Sequence, residues 1–270
     1  MITTPVSPAP RFGRARLQSA AVALGLMVPM LAFAELSNDP MIGPGLRTKP
    51  AYDGSDTQQL EVVPVIRYFG QPWFLRSTQG VLEAGARMSL APGLHVGAQV
   101  AYEPGRRNKD SDLLENRNLA SVDRGASIGA QLEWDQKIGP VPITLLTRFR
   151  QHTESDRGAQ VDLRLSAGIL QYGRLGMGVF TQATWASDKS NDSMYSITPA
   201  QSAASGLRAY EAGSGWLFTS FGLLWSVDIT KQWVAVGNLE ARHMQGDARR
   251  SPLVERSTNY YAAAGVAYKF

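Results

Sequence analysis

The sequence of 270 residues contains no cysteine and only three histidines. The absence of cysteine excludes a disulfide framework, a thiolate metal site, a cysteine nucleophile and a lipid-modified N-terminal cysteine. Charged residues are also scarce, at 19%, compared with about 25% in ordinary soluble domains. Because 44% of the residues are hydrophobic, the chain is too apolar to be disordered. The composition therefore indicates a folded, weakly charged protein.

The formal net charge of +4 depends largely on the N-terminus. Arg11, Arg14 and Arg16 lie in a segment, residues 1–34, that contains no acidic residue. The remaining chain has 24 Lys and Arg against 23 Asp and Glu. A net charge of +1 gives no electrostatic basis for binding nucleic acid, so no nucleic-acid partner is expected.

The N-terminal segment has the pattern of a secretory signal peptide. The three arginines precede an apolar run, residues 20–33, which is shorter than the roughly 20 residues that a membrane-spanning helix needs. Ala32 and Ala34 form an A-x-A cleavage site. We therefore predict a signal peptide over residues 1–34 and a mature protein over residues 35–270.

From about residue 40 the hydrophobicity alternates with period two, which is typical of β-strands with two different faces. In residues 161–166, for example, Val, Leu and Leu alternate with Asp, Arg and Ser. A soluble sandwich or barrel and a transmembrane barrel both give this pattern. The strands are long enough to cross a membrane, and the polar faces carry charges, Gly and Ser. The bulky aromatic residues lie near strand ends, as in the girdles of membrane barrels: Trp73, Trp134, Trp185, Trp225, Trp233 and Tyr268.

The spacing of these strands predicts an all-β fold, an antiparallel transmembrane β-barrel of twelve strands, with ten as the alternative. Long connections at 104–124, 187–213 and 245–258 alternate with short turns, so we place the long loops outside and both termini in the periplasm. Pro64 lacks an N–H group and suggests a bulge in the second strand. The predicted strands are 41–51, 60–68, 73–77, 81–90, 94–103, 125–136, 141–152, 159–171, 174–186, 214–228, 232–244 and 259–270.

Alternation also assigns charged residues to the barrel interior, in equal numbers of each sign. A selective pore would show an excess of one sign, whereas balanced charges in a narrow lumen favour mutual pairing. We therefore predict a charge-paired plug with small or no conductance. The predicted network contains the acids Glu61, Glu83, Glu133, Asp135, Asp162, Asp228 and Glu240, and the bases Arg67, Arg87, Arg148, Arg150, Arg164, Arg242 and Lys269.

The last strand ends in aromatic residues at the chain terminus. Tyr268 and Phe270 lie on one face of an alternating segment. This ending resembles the signal that the outer-membrane assembly machinery reads. Together with the signal peptide and the strand pattern, it predicts a location in the outer membrane of a Gram-negative bacterium, in contact with outer-membrane lipid.

The predicted outer loops and the end of the last strand contain several distinctive motifs. The segment 197–207 (Ile-Thr-Pro-Ala-Gln-Ser-Ala-Ala-Ser-Gly-Leu) is the most specific of them. The other motifs are Tyr52-Asp53-Gly54-Ser55-Asp56, Glu103-Pro104-Gly105-Arg106, Gly246-Asp247-Ala248, Ser251-Pro252-Leu253-Val254 and Tyr268-Lys269-Phe270. With these motifs the chain resembles the MltA-interacting protein / OmpV family over about residues 40–270. It departs from the family at the Ser-Pro pair of the third loop, which follows two arginines where the family often has an acidic residue.

The resemblance implies an outer-membrane barrel that serves as a scaffold in peptidoglycan synthesis and hydrolysis. Its implied partners are a lytic transglycosylase and a penicillin-binding protein. A surface adhesin or stress-response barrel and a small-solute channel are the alternatives. The resemblance carries no catalytic residue set, and His95, His152 and His243 show no metal-ligand spacing. We therefore expect no enzymatic activity, cofactor or metal site.

Overall fold

The computed structural model describes residues 39–78 and 81–270, which form a closed barrel of twelve antiparallel strands. Each strand pairs with its sequence neighbours, and the first pairs with the last. The strands are β1 (Met41–Pro50), β2 (Gln58–Phe69), β3 (Trp73–Thr78), β4 (Val81–Ala91), β5 (Leu94–Glu103), β6 (Gly125–Ile138), β7 (Val141–His152), β8 (Ala159–Tyr172), β9 (Leu175–Ala186), β10 (Gly215–Asp228), β11 (Trp233–Met244) and β12 (Thr258–Lys269).

This architecture confirms the predicted barrel and the count of twelve strands, rather than ten. The predicted signal peptide, residues 1–34 with its cleavage site at Ala32 and Ala34, lies outside the described residues. Among the residues that are described, no helix has the length and apolarity to cross a membrane.

The alternating pattern places apolar side chains on the outer wall and polar ones in the lumen. Leu60 and Val62 are 72% and 77% exposed on the outside, while Glu83 and Asp162 are fully buried inside. A wall of exposed Leu, Val, Ile and aromatic side chains is stable only in contact with lipid. The protein is therefore an outer-membrane barrel.

The two ends of the barrel differ in the length of their connections. At one end, each turn is short, as at 92–93 between β4 and β5 or 173–174 between β8 and β9. At the other end, the long connections contain the short helices α1 (Asp112–Asn116), α2 (Asp188–Tyr195), α3 (Pro199–Ser205) and α4 (Gly246–Arg250). Short turns are typical of the periplasmic side, so the helix-bearing loops face outward.

The predicted bulge at Pro64 is wrong. β1 and β2 pair in one uninterrupted register, in which Pro44 lies opposite Pro64. Two prolines cannot exchange N–H···O bonds, so theirs is a non-hydrogen-bonded pair, and the ring nitrogen of Pro64 points away from β1. On that side the described part of β3 pairs with β2 at Arg67, Tyr68 and Phe69 alone. Pro64 thus lies where no ladder bond is needed, which removes the reason for a bulge.

A bulge occurs instead in β10, between Trp216 and Phe218. Strict alternation places Leu217 on the outer face, but the bulge turns Leu217 into a buried cluster beside Phe218. This cluster belongs to the packing of the outer loops against the barrel.

Candidate functional site

A belt of buried ion pairs crosses the barrel interior, and Glu83 of β4 lies at its centre. The carboxylate is fully buried and accepts from Arg76 Nε at 2.6 Å and from Arg148 Nη1. Arg148 also forms an ion pair through Nη2 with Asp162, at 3.1 Å. Residues from β3, β4, β7 and β8 therefore meet at one level of the lumen.

The belt continues in both directions from this centre. On one side, Glu133 accepts from Arg76 at 3.3 Å and from Arg87 at 3.0 Å. On the other side, Arg150 joins Asp162 at 3.0 Å and Glu103 at 2.8 Å.

Arg76 also donates to the side-chain oxygen of Gln131 at 2.6 Å. The hydroxyl of Thr184 donates to Asp162 at 2.8 Å. Most of the charges thus have a partner on another strand, as buried charges require.

The other predicted lumen charges lie outside this belt. Arg242 binds Asp53 at 2.8 Å and Glu240 at 3.1 Å, nearer the outer end. Glu61 contacts Arg47 and Lys49. At the periplasmic end Lys269 pairs with Asp228, Asp135 accepts from Thr144, and Arg67 lines the wall.

Arg164 differs from the other predicted bases. Within the described part of the chain it forms no salt bridge, and its Nη1 is buried without a hydrogen-bond partner. The cross-barrel pairing that the sequence suggested for Arg164 is therefore absent from the structure. Its guanidinium lies instead on the ring of Phe180, 3.8 Å from the centroid.

Sequence reasoning missed several members of these networks. Arg76 lies two positions after Phe74 in β3, on the same inward face, and Arg47 lies on the inward face of β1. The alternating pattern alone predicts an inward position for both. Glu103 ends β5, at the border between the strand and a loop motif, where alternation no longer assigns a face. Asp53 lies in a loop and reaches Arg242 across 189 positions of sequence, a contact that no local pattern reveals.

The outer loops meet above the belt in a cap that contains most of the family-like motifs. Tyr52 Oη donates to the carbonyl of Leu253 at 2.7 Å. Asn259 binds the backbone of both Gly54 and Ser55, at 2.7 and 2.8 Å. Ser251 Oγ donates to the carbonyl of Tyr195 at 2.5 Å. The motif at 52–56 is thus tied to the motif at 251–254 and to the start of β12, and Ser251 ties the second long loop to them.

Two buried tyrosines show how dry this cap is. Burial, followed by the nearby negative charge of Glu255, raises the pKa of Tyr52 above its usual value near 10. Burial, followed by the charge of Asp53, raises the pKa of Tyr195 in the same direction. Arg106 lies over the Tyr52 ring at 5.7 Å and donates to the carbonyl of Met194. Desolvation lowers the pKa of Arg106.

The second long loop is ordered by helix capping and by apolar packing. The Thr198 hydroxyl accepts from Gln201 N, and the Gln201 side chain accepts from Thr198 N, which forms a capping box on α3. Gly206 ends α3 with a φ of 73°, a conformation that favours glycine. Ile197 and Tyr195 are both 2% exposed, within the two apolar clusters of the cap. This loop therefore covers the barrel mouth.

The belt separates two cavities in the lumen. A small one of about 160 Å³ lies under the cap and is lined by Tyr52, Asp53 and Arg150. A larger one of about 940 Å³, which we call the lower chamber, extends from Arg76 and Arg164 to the periplasmic turns at Gly93 and Arg174. Arg47 and Thr78 line both. The interior is thus blocked towards the outside and wide towards the periplasm.

The predicted assembly signal lies at the periplasmic end of β12. Tyr268 stacks edge-on against Trp233, with ring centroids 5.4 Å apart. Phe270 is 66% exposed, and its amide donates to the carbonyl of Pro40. The terminal aromatic residue is therefore accessible at the rim.

Comparison with known proteins gives one family and a set of similar barrels. The family described as MltA-interacting protein MipA matches residues 42–270. No curated protein sequence matches the chain.

Among solved structures, an outer membrane channel from Pseudomonas putida F1 is similar, with a TM-score of 0.51 and 12% identity over 88% of this chain and 98% of that chain. LpxR from Salmonella typhimurium has a TM-score of 0.40 and 7% identity, over 84% and 100% of the two chains. The outer membrane protease OmpT from Escherichia coli has a TM-score of 0.30 and 7% identity, over 86% and 94%. At such identities the likeness to the channel concerns the fold alone.

Proposed function

Because the chain belongs to the MltA-interacting protein family, we propose that it is a scaffold of the outer membrane for complexes that synthesise and hydrolyse peptidoglycan. Its partners are a lytic transglycosylase and a penicillin-binding protein, both of which act on the periplasmic side. The barrel itself reaches the membrane through the assembly machinery and performs no catalysis.

The asymmetry of the lumen is the observation that carries this proposal. The cap and the belt obstruct the outer half, while the lower chamber of about 940 Å³ reaches the periplasmic turns. The turns themselves are too short to present a large docking surface. A periplasmic partner would therefore grip the barrel rim and the chamber mouth rather than a loop.

The absence of catalysis in this proposal is best tested at the three histidines, which differ in their surroundings. His152 lies 3.6 Å from Glu103, but that carboxylate already accepts from Arg150 and Ser127. His243 contacts the hydroxyl of Thr258 at 2.8 Å. A hydrolase would need an accessible nucleophile beside its base. His152 contacts an occupied carboxylate instead, whereas His95 of β5 contacts Ser89 Oγ at 3.0 Å and lies 3.8 Å from Asp135. Substitution of His95 and of His243 therefore tests the proposed absence of catalysis.

Site-directed photo-crosslinking in the native envelope tests the scaffold. Lys231, in an exposed periplasmic turn, and Arg249, exposed on the outer side, are matched cationic positions for a photoreactive residue. We expect position 231, and not position 249, to crosslink to a murein hydrolase or synthase. Crosslinks from position 249 alone, to an extracellular molecule, would contradict the scaffold and favour the adhesin. No enzyme captured from position 231 would also count against it.

A further inference from the structure

Arg164 of β8 is a buried cation that the protein leaves without a counter-charge of its own. The residue is 8% exposed, and its polar contact with the described residues is a long one, from Nε to Ser166 Oγ at 3.4 Å. Its charged neighbours are Arg76, Arg148, Glu83 and Glu240. Glu83 is bound by Arg76 and Arg148, and Glu240 by Arg242. A buried charge normally has a dedicated partner.

The position of this guanidinium is fixed by the strands beneath it. Phe180 of β9 carries the guanidinium on its ring and is itself 2% exposed. The ring lies over Gly222 of β10, where a Cβ atom would come within 2.3 Å of it. Gly222 therefore makes room for Phe180, and Phe180 holds Arg164. A cation held in this way is preorganised for an anion.

Arg164 lies at the upper end of the lower chamber, far from the periplasmic opening. The chamber lining contains seven Arg or Lys and four Asp or Glu residues, so it carries an excess of three positive charges. β8 continues from Arg164 to Tyr172 at the periplasmic end. With the usual rise and tilt of barrel strands, Arg164 lies roughly 20 Å above that end.

We propose that Arg164 binds a carboxylate at the end of an extended chain that enters the lower chamber from the periplasm. The guanidinium provides two or more N–H donors for a carboxylate. One uncompensated arginine matches one negative charge. The depth of the chamber selects a chain end, such as a peptide carboxy-terminus, over the middle of a chain. This site is independent of whether the barrel scaffolds peptidoglycan enzymes.

Calorimetric titration of the full-length protein in detergent tests the site with three probes. The first is an N-acetylated hexapeptide of alternating Gly and Ser with a free carboxy-terminus, which spans about 20 Å when extended. The second is the same peptide with a terminal amide, and the third is acetate. We expect the free acid to bind at least about tenfold more tightly than the amide. Equal affinity for acetate and the acid peptide would overturn the selection of a chain end and leave only a site for small free carboxylates.

Two variants separate the site from general charge effects. Arg164→Met should abolish the preference for the acid, whereas Arg174→Met, which removes a cation nearer the chamber mouth, should leave at least half of it. Heat-modifiable migration on gels establishes that each variant is folded. Equal binding of acid and amide, no binding of either, or a preference that survives in Arg164→Met would each overturn the proposal. If Arg164→Met does not fold, the conservative Arg164→Lys variant should bind the acid more weakly than the unmutated protein, and unchanged binding would contradict the site.

Discussion

At the scale of single residues, the lumen contains two kinds of arginine. Arg148 is 3% exposed and bridges two buried carboxylates, Glu83 and Asp162. Arg164, on the adjacent strand β8, bridges none among the described residues. Removal of one partner from a buried ion pair is costly because it leaves an uncompensated charge. The consequences of substitution should therefore differ between the two positions.

Arg148→Met should lower the free energy of unfolding by about 3 kcal/mol, because Glu83 and Asp162 each lose a partner. Arg164→Met should cost about 1 kcal/mol, mainly the contact with Phe180. Urea unfolding in detergent micelles, followed by tryptophan fluorescence, measures both. The double variant Arg148→Met/Glu83→Gln should recover part of the loss. Equal effects of the two arginine substitutions would show that the belt contributes nothing specific.

The buried tyrosines of the cap predict an alkaline transition. The pKa values of Tyr52 and Tyr195 are raised in the folded protein, so their neutral forms stabilise the cap. This contribution is complete below the unfolded pKa of about 10 and is lost as the pH rises towards the folded values. Tyrosinate absorbance at 295 nm should therefore show a late step. Tyr52→Phe should reduce that step, and a single titration near pH 10 for all tyrosines would contradict the prediction.

The residue scale is also where the sequence predicts least. Alternation assigns Arg148 and Arg164 to the same inward face, because both lie on polar faces of amphipathic strands. The alternating pattern does not reveal how neighbouring strands are staggered along the barrel axis. This stagger brings Arg148 to Glu83, 65 positions away in the sequence. The partners of Arg242 are equally hidden, since Asp53 comes from a loop.

At the scale of elements, strand boundaries are largely readable because turns, prolines and glycines interrupt a strict period of two. The segment 81–90, for example, becomes Val81–Ala91 in the structure. The sequence also predicts that β3 is short, but it does not show that β2 therefore lacks a partner along part of its length. Within the described residues, the short β3 leaves residues 58–66 of β2 without a strand partner on one side. Pro64 therefore needs no bulge.

This unpaired edge predicts uneven protection along β2. The backbone nitrogen of Pro64 points away from β1. The N–H groups of Leu60 and Val62, which lie four and two positions before it, point to the same side, where the described part of β3 does not pair. The amides of Glu61 and Val63 point to β1. Hydrogen exchange measured by NMR in micelles should be faster at Leu60 and Val62 than at Glu61 and Val63. Equal protection of the four amides would mean that the wall is closed there.

The last strand should matter for assembly more than for stability. Phe270 is 66% exposed, so its deletion should cost no more than about 1 kcal/mol of buried apolar surface. If Phe270 is an assembly signal, the deletion should lower the amount of protein in the outer membrane while the purified chain still refolds in detergent. Phe270→Trp, which keeps a terminal aromatic residue, is the control. Normal membrane levels of the deletion variant would refute the signal.

At the scale of the whole molecule, the barrel is wide enough for a channel but its interior is occupied. Barrels of about eight strands are filled by side chains, and those of about sixteen leave a wide channel. Twelve strands lie between these sizes, so long arginines can meet carboxylates from other strands. The arginine–carboxylate pairs of the belt, together with the loops of the cap, block the outer half of the lumen. The family membership and the similar Pseudomonas putida channel support the barrel fold, whereas the function depends on the side chains and loops that fill the barrel.

A closed lumen predicts little or no steady conductance in planar lipid bilayers. An ion crossing the barrel would have to pass between Arg148, Glu83 and Asp162, whose charges are already paired and whose side chains are almost fully buried. Arg148→Ala removes one large cationic side chain at this level and leaves Glu83 and Asp162 with one arginine each, so it should produce a cation-selective leak. Arg87→Ala, at the edge of the belt, is the matched control and should leak less. A large, steady conductance from the unmutated protein, unaffected by Arg148→Ala, would overturn the closed lumen and identify the barrel as a small-solute channel.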